Sequence, residues 1–378
     1  MISTANRTFF SKKRLTSHAV WIYNSFEYPN ADERLIHIMK KTLFRMISLT
    51  LAVMIASALV SCGEKYDFPE STEEETATVL MIGDYEVPFE QYRYFFMNYK
   101  LSYDEGSDKY WQTHDEAEAF AEIDALTRES LLHCYATFAL ALDHDIDYRS
   151  GSVQKAVSDS INKSIENDFG GPDEYLTALS GAYMNNAVYR FAIAEFECEE
   201  RLFNKFVEAG TITDDDEAIM SAIMGGEFCH AKQILILNND GDDPEENRKL
   251  AEMILSRAKA ESDFDALVAE YGEDPEMITN PTGYYFTYGE LIEEFEEAAF
   301  ALKIGELSGV VESHLGYHII LRLEPDPSYV IANFDSLSEA YQTSLFQAEV
   351  SKKAETLKIT ETALFSSLSM DNFRYGKN

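Results

Sequence analysis

The sequence is short of basic side chains. Lysine and arginine together number 31 against 67 aspartates and glutamates, which gives a formal charge of −36 at pH 7. A surface of that sign repels phosphate groups, which argues against nucleic acid as a partner. For the same reason the protein has no electrostatic attraction to anionic lipid headgroups.

Cysteine, proline and glycine are also scarce. The 378 residues include 4 cysteines, 9 prolines and 18 glycines. Four cysteines are too few for a disulfide scaffold, and the low proline and glycine content excludes collagen-like or proline-rich architecture. The hydrophobic fraction of 46% is ordinary for a folded chain, so we expect globular domains.

An apolar run at residues 46–60 is too short for a bilayer span, which needs about 20 residues. Lys40, Lys41 and Arg45 precede it, and small residues close it. A basic segment, an apolar segment and a small-residue exit are the three parts of a secretory signal peptide. An uncleaved anchor helix is the alternative interpretation.

The apolar run closes on the tetrapeptide LVSC, which resembles the bacterial lipobox. That resemblance implies cleavage before Cys62 and a diacylglyceryl thioether on its sulfur, so that acyl burial would hold the protein at a membrane. Residues 39–61 are then a lipoprotein signal peptide, and residues 1–38 are an over-extended start. The acidic stretch 62–78 is predicted to be a solvated tether.

Residues 79–226 are predicted to be mainly helical after a short hairpin that turns at Gly83. Apolar residues recur every three or four positions from Asp115 to Leu142 and again through residues 188–206, which is the period of an amphipathic helix. No catalytic constellation is evident in this region.

A further long helix is predicted near the end of the sequence. Its apolar residues Phe334, Leu337, Tyr341 and Leu345 form a stripe that requires a packing partner. We therefore expect residues 327–378 to pack back on the helical region, which makes the middle of the chain an insertion.

The pattern changes after residue 226. Strands are predicted at residues 228–237, 307–311 and 317–323, with short helices between them. Residues 228–324 resemble the PpiC-type parvulin family of peptidyl-prolyl isomerases in four segments, namely AKQILI (231–236), FDALVAEYGED (264–274), GELIEEFEEAAFALKIGELSGVVES (289–313) and GYHIILRL (316–323).

The layout of the chain resembles the PrsA-like foldase lipoproteins. This resemblance implies an α+β fold. A parvulin-like isomerase domain over residues 227–326, made of a small antiparallel sheet with surrounding helices, would be inserted in a mainly helical chaperone-like domain. Some members of the family are homodimers, and a homodimer is a further expectation.

The resemblance also implies an apolar substrate pocket. Leu291 and Phe295, taken as one helical turn apart, would hold the proline ring, and Phe300 would support them. Leu291 stands where the family often has methionine. Plain core packing is the alternative for all three side chains.

Polar residues of the catalytic site follow from the same resemblance. His318 matches the histidine of the family's terminal strand, and Asp274 takes the position where parvulins carry cysteine or aspartate. Ser313 aligns with a hydroxyl that lines the same cleft. A buried core histidine and an ordinary loop carboxylate are the alternatives for His318 and Asp274.

The sequence departs from the family at residue 233, where a glutamine replaces the usual histidine. His230 lies at an odd offset along the strand, so it should face away from Gln233. Gln233 can donate and accept hydrogen bonds and so could orient His318, but it cannot carry a proton charge. We expect isomerase activity that is intact or weakened.

The resulting hypothesis is a lipid-anchored extracytoplasmic peptidyl-prolyl isomerase of the bacterial cell membrane. Its partners would be unfolded or partly folded secreted polypeptides that contain proline. The alternative is a non-enzymatic holdase with a degenerate parvulin domain. No cofactor is expected, and no metal, because His314 and His318 lack the surrounding HExxH pattern of a zinc site.

Overall fold

The computed structural model describes residues 65–239, 243–260 and 263–375. Cys62 and the predicted signal peptide lie outside these residues. The described chain forms two compact units, one built from residues 65–209 and 347–375 and the other from residues 210–346. The first unit is thus assembled from two separate stretches of sequence, and the second unit is inserted between these stretches. These bounds differ from the predicted domain bounds of 226/227 and 326/327, and independent folding of the predicted domains stays a prediction.

The first unit contains a three-stranded antiparallel sheet of order β2-β1-β7, with strands β1 (Thr78–Ile82), β2 (Tyr85–Pro88) and β7 (Ile359–Glu361). The predicted hairpin is present. Gly83 turns it with a φ of 57°, in the left-handed region that favours glycine.

Helices make up the rest of the first unit: α1 (Phe89–Asp104), α2 (Glu116–Asp143), α3 (Gly151–Ser164), α4 (Pro172–Gly181) and α5 (Asn186–Ala209), with short 3₁₀ or π segments at Tyr110–Gln112, Ile165–Phe169, Phe365–Ser367 and Met370–Phe373. Pro88 precedes α1 as its N-cap residue, because an extended ψ of 154° places it just outside the helix. Asp115 caps α2 by accepting the backbone N–H groups of Ala117 and Glu118.

The C-terminal segment completes the core of the first unit. The ring of Phe373 stacks on that of Phe96 with centroids 3.9 Å apart, and Phe373 is fully buried. Lys100 is also fully buried, and its ammonium group lies 2.6 Å from Asp104 and 3.6 Å from the centroid of the Tyr375 ring. The apolar core and a buried ion pair therefore both depend on residues from the end of the chain.

The second unit contains a four-stranded antiparallel sheet of order β4-β3-β6-β5, with strands β3 (Cys229–Leu237), β4 (Tyr284–Phe286), β5 (Val311–Ser313) and β6 (Gly316–Leu323). Its helices are α6 (Asp216–Ala222), α7 (Pro244–Ala260), α8 (Phe264–Tyr271), α9 (Pro275–Thr279), α10 (Glu293–Ala301) and α11 (Pro327–Ala332), with a π segment at Ile223–Glu227. The predicted α+β fold class is confirmed.

The long helix α12 (Phe334–Ala354) crosses the boundary between the two units at residue 346. In the second unit, Leu337 packs in a cluster with Ile219, Ile223, Phe228 and Val330. Two of these partners, Ile219 and Ile223, belong to the predicted helical region 79–226, and Phe228 and Val330 do not. The packing of residues 327–378 as a whole on the helical region stays a prediction.

Two local predictions for the second unit are wrong. The strand predicted at residues 307–311 is instead Val311–Ser313, and Leu307 makes only a single bridge to Leu321. Leu291 and Phe295 do not lie one turn apart on a helix, because Ile292 has an extended ψ of 139° and α10 begins after it. Leu291 therefore belongs to the loop that precedes α10.

Candidate active site

Strand alternation brings Gln233 and His318 to the same face of the sheet. On β3, Ile234 and Ile236 pack against the side of the sheet that α7 and α8 cover, whereas Cys229 and Ala231 pack on the side of α10. Gln233 shares the parity of Cys229 and Ala231, and so points to the α10 side. His318 of β6 reaches the same side, where it meets Gln233.

A continuous chain of hydrogen bonds joins four of the predicted site residues. Nδ1 of His318 lies 2.7 Å from Oε1 of Gln233, and its Nε2 lies 2.7 Å from Oγ of Ser313. Nε2 of Gln233 in turn donates to Oδ2 of Asp274 at 2.7 Å. The structure therefore brings Ser313, His318, Gln233 and Asp274 into one network.

Asp274 fixes the orientation of this network. Its Oδ2 also accepts the hydroxyl of Tyr284 at 2.5 Å, and its Oδ1 accepts the backbone N–H of Glu276 at 2.9 Å. A carboxylate that accepts these bonds requires a donor from Gln233, so the amide nitrogen faces Asp274 and the amide oxygen faces His318. His318 must then donate through Nδ1, which leaves Nε2 to accept the Ser313 hydroxyl.

Burial keeps the imidazole neutral. His318 is 1% exposed, and its burial, with a smaller contribution from His314, lowers its pKa to about 4. Both ring nitrogens are engaged in hydrogen bonds, so the ring presents no free base and no nucleophile. The arrangement can orient and bind a substrate through polar contacts, but it is poorly suited to proton transfer.

An apolar cluster lies beside this network. Phe295 is 2% exposed, and its ring centroid lies 5.9 Å from that of His318 and 5.6 Å from that of Phe286. Leu291 and Phe300 are partly buried against the same cluster. Phe300 stacks on the exposed ring of Tyr288 at 3.9 Å. The three predicted pocket residues therefore share one apolar group, with Phe295 in its interior and the other two at its edge.

Two carboxylates, that of the buried Glu296 and that of the partly buried Glu290, hold the loop that carries Leu291. Oε1 of Glu296 accepts the backbone N–H of Leu291 at 2.6 Å, and its Oε2 accepts that of Gly289 at 2.9 Å. Glu290 accepts the N–H of Thr287 at 2.7 Å, and burial raises the pKa of Glu290 to about 7. Leu291 is thus positioned by charge-assisted hydrogen bonds rather than by a helical turn.

His230 lies apart from this network, as its offset from Gln233 predicts. Its ring nitrogens lie 2.6 Å from the carbonyl oxygen of Glu324 and 2.8 Å from that of Thr282, and it stacks on Tyr285 at 4.0 Å. His230 therefore does not replace the histidine that the family has at position 233.

Tyr284 is the site residue that sequence reasoning missed. Its hydroxyl bonds Asp274, and its ring meets that of Phe295 edge-on with centroids 6.3 Å apart. It lies on β4, a strand of three residues that is too short to show a period. The turn residues Asn280 to Gly283, which directly precede Tyr284, were the feature of the sequence that could have indicated a strand beginning there.

The described residues offer neither a metal site nor a membrane-spanning helix. Within residues 65–239, 243–260 and 263–375, no group of three or more His, Cys, Asp or Glu side chains is arranged to hold a metal ion. None of the helices described in those ranges has the length and apolar character needed to cross a membrane.

The family model of PPIC-type PPIase domains matches residues 221–325. Foldase protein PrsA of Caldanaerobacter subterraneus subsp. tengcongensis is 25% identical over 296 residues, covering 73% of this chain and 81% of the relative. Foldase protein PrsA of Halalkalibacterium halodurans is 37% identical over 114 residues, covering 30% of this chain and 33% of the relative. This chain therefore spans about a third of the length of the second relative.

Solved structures with similarity to the chain include a PrsA and a parvulin. The crystal structure of the peptidylprolyl isomerase PrsA from Bacillus anthracis covers 59% of this chain and 96% of its own, at 20% identity and a TM-score of 0.33. The solution structure of NmPin, the parvuline of Nitrosopumilus maritimus, covers 25% of this chain and 95% of its own, at 31% identity and a TM-score of 0.21.

Proposed function

We propose that the protein is a lipid-anchored extracytoplasmic foldase. The premise is that residues 221–325 are a PPIC-type peptidyl-prolyl cis-trans isomerase domain of the parvulin type. It would isomerise X–Pro bonds in unfolded or partly folded secreted polypeptides. The PrsA foldases that it resembles support the folding role. The tetrapeptide LVSC ending at Cys62 supports the anchor and the location outside the cytoplasm.

Prolyl isomerisation makes limited chemical demands. The barrier of about 18–20 kcal/mol arises because twisting the C–N bond loses amide resonance, and no proton has to leave the substrate. A catalyst must therefore bind the twisted amide better than either planar form. An apolar pocket for the pyrrolidine ring and a dry surrounding for the carbonyl are sufficient, because the twisted amide is less dipolar than the planar one.

The observation that carries the proposal is the position of His318 between the polar chain and the apolar cluster. Ser313 and Gln233 hold the imidazole at two points, and the Phe295 ring lies 5.9 Å from it. We propose that Leu291, Phe295 and Phe300 receive the proline ring and that Asp274, Gln233 and His318, with Ser313, position the twisting amide. A rigid neutral imidazole would orient this surface without altering the charge of the site.

The direct test is turnover on a tetrapeptide that contains a single proline. The protein from Cys62 onward is compared with its His318→Ala and Leu291→Ala variants, and with His230→Gln as a matched control outside the network. We expect activity that falls at least tenfold in the two site variants and is retained in the control, provided that all four proteins melt cooperatively. Equal activity in all four would overturn the assignment of the site.

Gln233 favours one alternative, a holdase that binds unfolded chains without isomerising them. The family's usual histidine at this position can be protonated, whereas a glutamine cannot. Refolding of a client whose slow phase is limited by proline isomerisation separates the two functions. Acceleration of that phase supports the isomerase, and suppressed aggregation without acceleration supports the holdase.

A further inference from the structure

A pocket of about 320 Å³ opens in the first unit, and none of the residues that line it belongs to the isomerase site. The residues that line it include the aromatic residues Tyr135, Tyr148 and Phe191 and the acidic residues Glu86 and Glu90. Pockets for small organic groups range from roughly 300 to 1,000 Å³, so this one has room for one or two side chains of a polypeptide.

The aromatic wall is a packed cluster. The Tyr135 ring lies 5.5 Å from that of Phe191, and the Tyr148 ring lies 4.4 Å from that of Phe138, which stands behind the wall. The hydroxyl of Tyr135 donates to Oε1 of Gln91 at 2.7 Å, which fixes that ring. The faces of such rings carry partial negative charge and attract ammonium and guanidinium groups.

The carboxylates differ in how they are engaged. Glu90 is buried and accepts the hydroxyl of Ser71 at 2.5 Å and the amide of Asn185 at 2.6 Å. Glu86 is exposed, and within the described residues its carboxylate accepts one side-chain hydrogen bond, from Oγ1 of Thr78 to Oε2 at 3.3 Å. Glu86 therefore has an oxygen available for a ligand.

No basic residue lines the pocket in the part of the chain that the structure describes. Arg149 and Arg190 each adjoin a lining residue in the sequence. Arg149 pairs with Asp147 at 3.0 Å and lies 5.3 Å from the Tyr148 ring centroid, and Arg190 donates to Oε1 of Gln154 at 3.0 Å. The charge of Arg149 is thus matched locally by Asp147, and its position shows that the Tyr148 ring accepts a guanidinium group. The described residues that line the pocket include two acidic residues and three aromatic ones, and no basic residue.

We propose that this pocket binds a lysine or arginine side chain of the client polypeptide. The proposal rests on the proposed function, since it names the class of client that the foldase holds. Charge complementarity selects this occupant, because an acidic or neutral side chain would meet Glu86 and Glu90 without a compensating charge. The alkyl stem of the basic side chain packs against Phe191 and Tyr148, and its charged end reaches Glu86.

The test measures binding of two proline-free pentapeptides to the protein from Cys62 onward by calorimetry. One peptide has a central lysine among alanines, and the other has norleucine in its place, which keeps the four-carbon chain and lacks the ammonium group. We expect the lysine peptide to bind about tenfold more tightly at low salt, since a cation beside aromatic faces and a carboxylate supplies that order of discrimination. Equal affinity for the two peptides would overturn the proposal.

Variants then localise the effect. Glu86→Gln should remove most of the preference for lysine, and Glu86→Lys should reverse it. Glu74→Gln and Glu74→Lys are the matched controls, because Glu74 is exposed and does not line the pocket while the net charge changes equally. Equal effects at positions 74 and 86 would mean that net charge alone attracts the peptide, and this result would also overturn the proposal.

The outcome is independent of the isomerase assignment, because neither peptide contains proline. Turnover on the proline tetrapeptide without lysine discrimination would reject the pocket alone. Lysine discrimination without turnover would reject the isomerase activity and leave the pocket in place.

Discussion

The amide of Gln233 lies between two groups that need opposite partners: its oxygen is 2.7 Å from Nδ1 of His318, and its nitrogen donates to Asp274 at 2.7 Å. A neutral histidine can make the same two contacts, with one ring nitrogen accepting and the other donating. The substitution of glutamine for histidine therefore preserves the polarity of the hydrogen-bond chain. This relationship explains how the site keeps its geometry while departing from the family at position 233.

The first prediction concerns this residue. Gln233→His should raise kcat/KM by up to about tenfold, or about 1.4 kcal/mol of barrier, if an imidazole orients His318 better than an amide does. The melting temperature should change little, because both hydrogen bonds can be kept. Gln233→Leu is the control. It leaves Nδ1 of His318 without its partner and removes one of the donors to Asp274, and it should cost about 1–3 kcal/mol in the free energy of unfolding. An unchanged rate in Gln233→His would mean that glutamine already fills the role.

The second prediction separates the pocket role of Phe295 from its packing role. Phe295→Ala should cost roughly 3–5 kcal/mol of stability, because the ring is buried. Phe295→Leu keeps most of the apolar volume and should leave a folded protein whose turnover is reduced several-fold. Phe264→Leu is the matched control, since Phe264 is buried in the cluster on the other face of the sheet. If both leucine variants lose activity in proportion to stability, Phe295 is a core residue only.

The third prediction concerns the stability of the first unit at different pH values. Burial raises the pKa of Glu195 to about 7, and burial with the charge of Glu195 raises that of Glu199 to about 8. The folded state therefore holds protons that the unfolded state releases above about pH 4.5, so this contribution to stability is lost as the pH rises from about 4.5 to about 8.

Glutamine at these positions cannot ionise, so Glu199→Gln should melt at a higher temperature than the parent protein at pH 8. We expect the melting temperature to rise by about 2–4 °C for each kcal/mol recovered in the free energy of unfolding. The difference in melting temperature between variant and parent should be smaller at pH 5. Glu200→Gln is the control, because Glu200 lies exposed on the same helix and changes the net charge equally. A gain of equal size in both variants would point to general charge repulsion instead.

The fourth prediction concerns the anchor. Cys62→Ala removes the residue that the lipobox would acylate, so the product should lose membrane retention or accumulate as an unprocessed precursor. Incorporation of labelled fatty acid measures this directly. Cys198→Ala is the control, since Cys198 is a buried free cysteine of the first unit and should leave labelling intact. Unchanged labelling in Cys62→Ala would reject the lipoprotein interpretation.

The sequence predicted those parts of the site that depend on a regular period. Alternation along β3 and β6 correctly separates His230 from Gln233, because each strand is long enough for its two faces to be distinguished. The long helices α2 and α5 were predicted closely for the same reason, since their apolar residues recur over many turns.

The position of Leu291 could not be predicted in this way. It depends on where α10 begins, and that start is set by backbone contacts to the side chain of Glu296 rather than by apolar spacing. The role of Tyr284 and the burial of Glu195 could not be predicted from the sequence either. A strand of three residues has no period, and a glutamate on a helix is ordinarily solvated. Tertiary packing decides all three.

The measurement that tests the central claim most directly is isomerase turnover on a single-proline tetrapeptide at pH 5.5 and pH 8. Because the pKa of His318 is lowered to about 4, its imidazole stays neutral over this range, and we predict measurable turnover at both values that is lost in His318→Ala. A difference in rate between the two values would report the carboxyl group of Glu290, whose pKa burial raises to about 7. No turnover from a folded protein, or turnover that survives in His318→Ala, would contradict the account.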